Sequence, residues 1–403
     1  MKKILYNANI VTEDQVVHGS LVLDGELIQE VIPSSQSEET VSGENTVDLK
    51  GAFILPGLID IHSDMIEMLV QPRSTAFMEI GAALESAERE LAACGITTIF
   101  HSIAMYRSGS WDAKECRKAD CVRKLAEEIK KIQNRPHMIH NRFHLRYELD
   151  NLECYDQALK MMEEGCVNLL SVMDHRPGQG QYKDLNIYRR HLPADQRSIS
   201  EAEFQKLLEI ERTKPMVEGE AYDRLLKEAA RLSIPVASHD DDTPEKIRKN
   251  KADGILISEF PITMETAKEA AQAGLYAMAG APNILLGKSH SGNLRAEDAI
   301  REGCISILCS DYYPQALLRA VFYLKNKGIL TLPAACRLVS LNPAKAVGIS
   351  EDTGSITPGK RADFLVISEE QERPYLKSVF TSGNYVMKNE YYRKGRDRQW
   401  ESF

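Results

Sequence analysis

Short apolar segments alternate with amphipathic helical segments from residue 58 to residue 311, and this alternation constrains the fold more than any other feature. Short apolar runs are typical of buried strands, whereas apolar residues at helical spacing indicate one-sided helices. Eight strands with intervening helices predict an α/β protein built on a (β/α)8 TIM-type barrel. The predicted strands lie at 58–64, 96–100, 138–147, 167–173, 234–238, 254–258, 276–279 and 305–310, and the clearest helices at 77–94, 114–134, 155–164 and 219–232.

Both ends of the chain have a different texture. Residues 3–55 and the final forty or so residues consist of short strand-like segments separated by Gly, Asp and Pro turns. Two β-rich ends around an α/β middle predict that the ends join in one small sheet domain. We therefore expect a composite β-sandwich from residues 1–55 and 350–403, and a barrel from residues 56–349.

The composition excludes several classes of protein. A net charge of -9 argues against a general nucleic-acid binder, which would carry a basic patch. No apolar run reaches the roughly 18 residues of a membrane span, and the N-terminus becomes polar too early for a signal peptide. Eight cysteines without a CxxC pair fit a reducing compartment. We expect a cytoplasmic protein without nucleic-acid or membrane partners; its oligomeric state, including a homo-oligomer, stays open.

Polar side chains recur where the predicted strands end, which is where barrel enzymes carry their chemistry. Nearly every strand ends in a group that binds metals or anions. We expect these groups to converge at one mouth of the barrel. They are His62, Asp64, His101, His144, Arg146, Glu148, Asp174, His175, His239, Glu259, Lys288, His290 and Asp311.

The first strand carries the most informative pair. His62 and Asp64 are two residues apart, so on a strand their side chains project to the same side. Imidazole and carboxylate groups are common ligands of zinc and other divalent ions. The pair predicts the start of a metal site; the alternative is a histidine beside an aspartate on the surface.

The third strand alternates two kinds of residue. Apolar side chains occupy one face, while His144, Arg146 and Glu148 occupy the other. Burying these groups without partners would cost several kcal/mol each. We interpret Glu148 as a metal ligand and Arg146 as an anion clamp, and a structural salt-bridge network stays the alternative.

Two later strand ends add candidates. His239 ends an apolar strand and is expected to bind metal, whereas Asp241 and Asp242 are expected to cap the following helix in solvent. Asp311 follows the last strand. It could be a plain helix N-cap, but we favour a metal ligand that also accepts the proton of a bound water as the general base.

Cationic and glycine-rich loops indicate an anionic ligand. Gly178 and Gly180 follow Asp174, His175 and Arg176, and a second loop contains Lys288 and His290. Backbone N–H groups of such loops can bind phosphates. We assign Arg146, Asp174, His175, Arg176, Lys288 and His290 to a phosphorylated small-molecule substrate.

Several segments together resemble the amidohydrolase superfamily over essentially the full chain. The resemblance implies a metal-bearing barrel and a small β-sandwich made from both chain ends. The matching segments are 55–62, the strands that end at His239 and Asp311, 341–344, 354–356 and 358–363.

The departures from that family are equally informative. Asp64 stands in place of a second histidine, Glu259 in place of the sixth-strand histidine, and residues 167–174 lack the usual lysine. These departures resemble the diphosphatase branch of phosphonate metabolism, which implies hydrolysis of a phosphoanhydride with release of pyrophosphate. One or two divalent ions, zinc, manganese or magnesium, are expected on His62, Asp64, Glu148, His239, Glu259 and Asp311. The alternatives are a hydrolase of C–N bonds and a metal-free scaffold.

Overall fold

The computed structural model describes residues 2–36, 45–107, 114–192, 197–287 and 294–392 of the chain. Its strands form two sheets, one from the middle of the chain and one from its two ends. The predicted fold class is confirmed: an eight-stranded parallel barrel with a separate sheet from the chain ends. In the described ranges, no helix has the length and apolarity needed to cross a bilayer.

The sheet from the chain ends combines five early strands with three late ones. Its order is β16-β15-β14-β5-β1-β2-β3, and β4 pairs with β1. The early and late strands meet where β5 pairs antiparallel with β14 and Pro56 stands opposite Phe364. These strands are β1 (Lys2–Val11), β2 (Val16–Asp24), β3 (Leu27–Pro33), β4 (Thr46–Asp48), β5 (Phe53–Pro56), β14 (Phe364–Glu370), β15 (Arg373–Thr381) and β16 (Asn384–Lys388).

A second sheet runs in unbroken sequence order from β6 to β13 and closes into the barrel. Ser63 and Asp311 form the parallel bridge that joins the first strand to the end of the last. Because closure occurs there, the ends of these two strands lie side by side. The barrel strands are β6 (Leu58–Ser63), β7 (Ile96–Met105), β8 (His140–Glu148), β9 (Leu169–Met173), β10 (Val236–His239), β11 (Ile257–Glu259), β12 (Tyr276–Gly280) and β13 (Ile307–Cys309).

Helices lie between the barrel strands and after the last one, and most of them pack around the barrel. They are α1 (Met65–Val70), α2 (Ile80–Ala93), α3 (Ala119–Ile132), α4 (Tyr155–Glu163), α5 (Leu185–His191), α6 (Glu201–Arg212), α7 (Glu220–Arg231), α8 (Pro244–Ala252), α9 (Met264–Gln272), α10 (Ala281–Leu286), α11 (Ala296–Arg301), α12 (Ala316–Asn326), α13 (Leu332–Arg337) and α14 (Leu341–Ala346).

The alternation predicted on the third strand is confirmed in β8. Phe143, Leu145 and Tyr147 are fully buried in the core between the barrel and the helices. His144 and Arg146 are buried toward the barrel axis, where a separate apolar cluster fills the interior below them. The strand therefore separates a packing face from a polar face, as period-two geometry requires.

The segment between β9 and α7 forms an insertion with a core of its own. Helices α5 and α6 lie in it, and Ser200 begins α6 with a reciprocal capping box to Glu203. Five buried apolar residues of this insertion form a cluster distinct from the barrel core: Tyr182, Tyr188, Leu192, Phe204 and Leu208. The insertion is therefore a small packed unit placed beside the barrel mouth.

The element ends differ from the sequence-based expectation by a few residues. The helix expected over 77–94 begins at Ile80, because the Glu79 carboxylate accepts hydrogen bonds from the N–H groups of Gly81 and Ala82. The last barrel strand, expected over 305–310, covers only Ile307–Cys309. Caps and ladder ends set such boundaries, and periodicity does not encode them.

Candidate metal centre and its cavity

Glu259 lies at the end of β11, fully buried among imidazole groups. Its Oε1 is 3.2 Å from His62 Nδ1 and 3.6 Å from His144 Nε2. Its Oε2 is 3.0 Å from His239 Nδ1 and accepts a 2.8 Å hydrogen bond from Ser171 Oγ. One carboxylate thus contacts both metal-binding histidines predicted from the sequence, and it does so through the same ring atom of each.

Charge in this cluster is divided unequally. Burial raises the pKa of Glu259, but His62 and His144 outweigh that effect and hold the pKa well below its usual value. Burial lowers the pKa of His144 to about 3. Burial also lowers the pKa of His62, yet Glu259 reverses the sign and raises it overall. Glu259 is therefore ionised at neutral pH and His144 is neutral.

Because Glu259 engages Nδ1 of His62 and of His239, the Nε2 atoms of both rings face other groups. His62 Nε2 is 3.9 Å from Asp64 Oδ1, and His239 Nε2 is 3.7 Å from Asp240 Oδ2. Carboxylates that bind the far nitrogen of a histidine commonly orient that ring for metal ligation. The geometry favours this orienting role for Glu259 over direct ligation.

Three groups of donor atoms lie close enough to share an ion. Within each group, the donor atoms of the described residues all lie within 4.8 Å of one another. Nitrogen and carboxylate oxygen donors at this spacing suit a divalent ion such as zinc or manganese, so the residues present fit the metal that the sequence predicts. The groups are His62, Asp64 and Asp311; His175, His239 and Asp240; and His62, His144 and Glu259.

Asp64 does not lie on the strand, contrary to the expectation that it shares a strand face with His62. β6 ends at Ser63, and Asp64 occupies the N-cap position of α1. Its backbone N–H donates a 2.7 Å hydrogen bond to the Asp311 carbonyl oxygen, and the Asp311 N–H donates to the His62 carbonyl oxygen at 3.0 Å. Barrel closure, rather than strand alternation, brings the three predicted ligands together.

The residues that follow three barrel strands have a strained backbone. Asp240, Phe260 and Asp311 have φ angles of 51°, 56° and 57°. Left-handed conformations of non-glycine residues cost of order 1–3 kcal/mol and concentrate at functional sites. Here they turn the backbone sharply where each of the three strands leaves the barrel, beside the donor groups.

Arg146 contacts a predicted metal ligand directly. Its Nη1 is 2.8 Å and 2.9 Å from the two carboxylate oxygens of Asp64, and its Nη2 is 3.5 Å from His239 Nε2. Burial raises the pKa of Asp64, but the Arg146 guanidinium outweighs that effect and lowers it. The residue predicted to bind the anionic substrate, Arg146, is therefore in direct contact with a residue predicted to bind the metal, Asp64.

Glu148 is placed differently from the expectation. It belongs to none of the three donor groups found among the described residues. Its Oε1 is 2.5 Å from His175 Nδ1, while His175 Nε2 faces Asp240 Oδ2 at 3.8 Å. Burial lowers the pKa of His175, but Glu148 and Asp240 more than offset it and raise the pKa to about 10. Glu148 thus adjoins the donor groups through His175, which belongs to one of them.

The remaining predicted substrate residues divide into two sets. Asp174 and Arg176 lie together after β9, and the guanidinium donates to both carboxylate oxygens at 2.9 Å and 2.8 Å. Lys288 and His290 lie outside the described residues. Their predicted role stays a prediction.

A cavity of about 200 Å³ adjoins the donor groups and shares Asp64 and His175 with them. Six of its lining residues were predicted from the sequence: Asp64, Arg146, Glu148, Asp174, His175 and Arg176. The others were not singled out: Tyr106, Arg107, Arg117, Asp150, Tyr182, Tyr188 and Glu211. The only sequence signal for these is position, since Tyr106 and Arg107 follow the end of β7 and Asp150 follows β8.

The interpretation of Asp241 as a solvated helix cap is wrong. Asp241 is fully buried and accepts hydrogen bonds of 2.6 Å from Ser238 Oγ and from Ser258 Oγ. Thr243 caps α8 instead, by accepting a hydrogen bond from the Lys246 N–H. Asp241 therefore fastens the end of β10 to β11, which holds His239 and Glu259 in register.

Comparison with known proteins gives matches over nearly the whole chain. Residues 53–389 match the model of the amidohydrolase family. Over 390 residues, 95% of this chain and 100% of the relative, the chain is 32% identical to alpha-D-ribose 1-methylphosphonate 5-triphosphate diphosphatase of Escherichia coli (strain K12).

Solved structures share the fold at low identity. An A. niger ochratoxinase superposes with a TM-score of 0.65 at 14% identity, covering 96% of each chain. The N-acetylglucosamine-6-phosphate deacetylase from Pasteurella multocida superposes with a TM-score of 0.63 at 11% identity, covering 96% of this chain and 100% of that one. At such identities the likeness concerns the fold alone.

Proposed function

The chain belongs to the amidohydrolase family, and from this premise we propose that it is a metal-dependent diphosphatase. Its proposed reaction hydrolyses a phosphoanhydride of alpha-D-ribose 1-methylphosphonate 5-triphosphate, leaving the 5-phosphate and releasing pyrophosphate. The 32% identical relative that carries this activity in its name supports the proposal. We further propose that the reaction belongs to phosphonate breakdown and takes place in the cytoplasm.

The observation that carries the proposal is the cavity beside the metal donors. Four arginines line it, and one of them, Arg146, contacts a donor residue, Asp64. Guanidinium groups bind phosphate oxygens with two parallel hydrogen bonds and stay charged at every physiological pH. A neutral amide substrate would not need four arginines, whereas the negatively charged oxygens of a phosphate chain can bind to them.

We assign the metal to the donor atoms that face away from Glu259. His62, Asp64 and Asp311 form one candidate set, and His239 with its neighbours forms another. One or two divalent ions held there would act as Lewis acids and lower the pKa of a water molecule toward neutrality. Glu259 orients both imidazoles, and Glu148 contacts His175 Nδ1 at the edge of the second set.

Asp311 is the proposed general base. Its backbone is fixed on both sides by the hydrogen bonds that close the barrel, to His62 and to Asp64. A positioned carboxylate beside the attacking water can accept its proton as the oxygen–phosphorus bond forms. Breaking the anhydride bond then releases pyrophosphate, whose charge Arg146 and Arg176 offset, together with Lys288 and His290 as predicted from the sequence.

The direct test is product analysis with metal-loaded protein. We expect stoichiometric release of pyrophosphate and the 5-phosphate ester from the ribosyl triphosphate, and loss of turnover after treatment with a chelator. A panel of N-acetylated sugars and cyclic amides serves as the comparison. Release of acetate from the sugars or ring opening of the cyclic amides, with no pyrophosphate from the triphosphate, would replace the proposal with C–N hydrolysis.

A further inference from the structure

Arg107 connects the barrel to the insertion across the cavity. It follows the end of β7, and its Nε donates a 2.9 Å hydrogen bond to Asp150 Oδ2 just beyond β8. Its Nη2 lies 3.7 Å from Glu211 Oε2, which belongs to α6 of the insertion. Arg107 therefore marks the side of the cavity formed with the insertion, whereas Asp64 marks the side formed with the metal donors.

The other cavity arginines are held more firmly. Arg146 contacts both oxygens of Asp64. Arg117 donates from Nε and Nη2 to the two oxygens of Glu67, each at 2.8 Å. Such two-point contacts are stronger than single ones. Arg176 is bound to Asp174 in the same way.

Arg107 has fewer and weaker carboxylate contacts than the other arginines of the cavity. Among the described residues, its carboxylate contacts are one hydrogen bond to Asp150 and one ion pair to Glu211 that is longer than a hydrogen bond. Its side chain is 25% exposed, more than Arg146 at 9% and Arg117 at 10% and similar to Arg176 at 23%, so its fewer contacts set it apart from Arg176. A partly exposed guanidinium with a single hydrogen-bonded carboxylate loses little when it changes partner.

How firmly each arginine is held matters for anion binding, because the charges that line the cavity nearly balance. Carboxylates line it in about the same number as cationic groups, so a polyanion gains net attraction only where an arginine turns from its carboxylate to a phosphate. Arg107 does so at the lowest cost. Glu211, the more distant of its two carboxylate partners, keeps a cation because Lys214 pairs with it.

We propose that Arg107 binds the phosphate farthest from the bond that is cleaved, and so determines the preference for a triphosphate over shorter phosphate chains. The inference rests on the proposed function for the identity of the substrate. Its structural basis is separate: with the reacting phosphorus at the metal donors, a chain that extends through the cavity reaches the insertion side, where Arg107 lies.

The test compares Arg107→Ala and Arg107→Lys with a matched control, Arg123→Ala. Arg123 on α3 is similarly exposed at 30% and pairs with two carboxylates, Glu127 and Glu164, but does not line the cavity. We expect Arg107→Ala to raise KM for the ribosyl triphosphate by roughly 10–100-fold, the scale of a hydrogen bond to a charged group. Inhibition by the 5-phosphate product should stay within about 2-fold of wild type.

Arg107→Lys keeps the positive charge but loses the planar guanidinium that binds two oxygens at once. Its KM for the triphosphate should lie between those of the wild type and of Arg107→Ala. Thermal unfolding of all three variants reports whether they fold. Equal losses for the triphosphate and for the 5-phosphate, or a triphosphate KM unchanged in Arg107→Ala, would overturn the inference.

A binding experiment separates this inference from the proposed function. Calorimetry with metal-loaded protein should show that Arg107→Ala weakens binding of inorganic tripolyphosphate by about 10-fold or more, and leaves orthophosphate unaffected. That result supports Arg107 even if the ribosyl triphosphate is not hydrolysed. Hydrolysis of the triphosphate together with unchanged tripolyphosphate binding would reject Arg107 and leave the diphosphatase proposal intact.

Discussion

Arg146 Nη1 lies 2.8 Å and 2.9 Å from the two carboxylate oxygens of Asp64. The sequence assigns these two residues to different tasks, substrate binding and metal binding, yet they form one ion pair at the mouth of the barrel. A change at either residue therefore affects both tasks. Experiments on this site need readouts that separate metal binding, substrate binding and folding.

Replacing Arg146 with Gln is expected to destabilise the chelator-treated protein by about 1–3 kcal/mol. The range lies between that of an exposed pair and that of a buried one, because Asp64 keeps some contact with solvent. Urea denaturation measures the loss. If Asp64 is a metal ligand, a saturating divalent ion reduces the loss, since the ion compensates the carboxylate in place of the guanidinium. An equal loss with and without metal would argue against ligation by Asp64.

Metal retention should depend on His239 and on the carboxylate that orients it. We expect His239→Ala to lose most bound metal while keeping its fold, and Glu259→Gln to weaken metal binding by about 10–100-fold, as for other changes that disturb ring orientation. Metal analysis after dialysis gives both numbers. Glu88→Gln is the control, because Glu88 is also a buried carboxylate but bonds Asn141. Unchanged metal content in His239→Ala would contradict the assignment.

Asp311→Asn should lower kcat by at least about 100-fold, because an amide cannot accept the proton of the attacking water. Metal content must be measured alongside, since Asp311 is also a proposed ligand. Full metal occupancy with low kcat supports the proton-transfer role. Turnover like that of the wild type would leave Asp311 with only its part in closing the barrel.

The junction between the two sheets should make stability sensitive to acid. Burial raises the pKa of Asp363, but His140 outweighs that effect, with help from Arg361 and the Ser382 N–H, and lowers it. A depressed pKa in the folded state stabilises the protein above the unfolded pKa of about 4, and the benefit is lost as the pH falls through the folded pKa. Urea midpoints between pH 6 and pH 3 should fall less steeply for Asp363→Asn than for wild type. Parallel curves would exclude this source of acid sensitivity.

The strand-end pattern predicted the fold and most of the polar mouth because both depend on local rules. Period-two alternation identified His144, Arg146 and Glu148 on one face of β8, and the barrel topology implied that the strand ends converge. The same topology made it predictable that His62 and His239, which lie at the ends of two barrel strands, are close to each other. Their common partner Glu259 was identified by position, although its contacts favour an orienting role.

What the sequence did not reveal depends on contacts between distant segments. Arg107 lies in a loop, and only the fold of the insertion brings Glu211 to it. Arg117 precedes α3 and pairs with Glu67 on α1, so no spacing rule relates them. Asp241 looked solvated because it sits in an acidic run, but serines on two neighbouring strands enclose it.

The pairing of β5 with β14 also sets an order of events during synthesis. β5 leaves the ribosome early, whereas β14, which covers its edge, appears only after every barrel strand has been made. Until then β5 offers unpaired backbone groups, and such open edges recruit other chains. A nascent chain stalled in the barrel would be prone to aggregate through that edge, so completion of the last three strands protects the molecule as well as finishing its sheet.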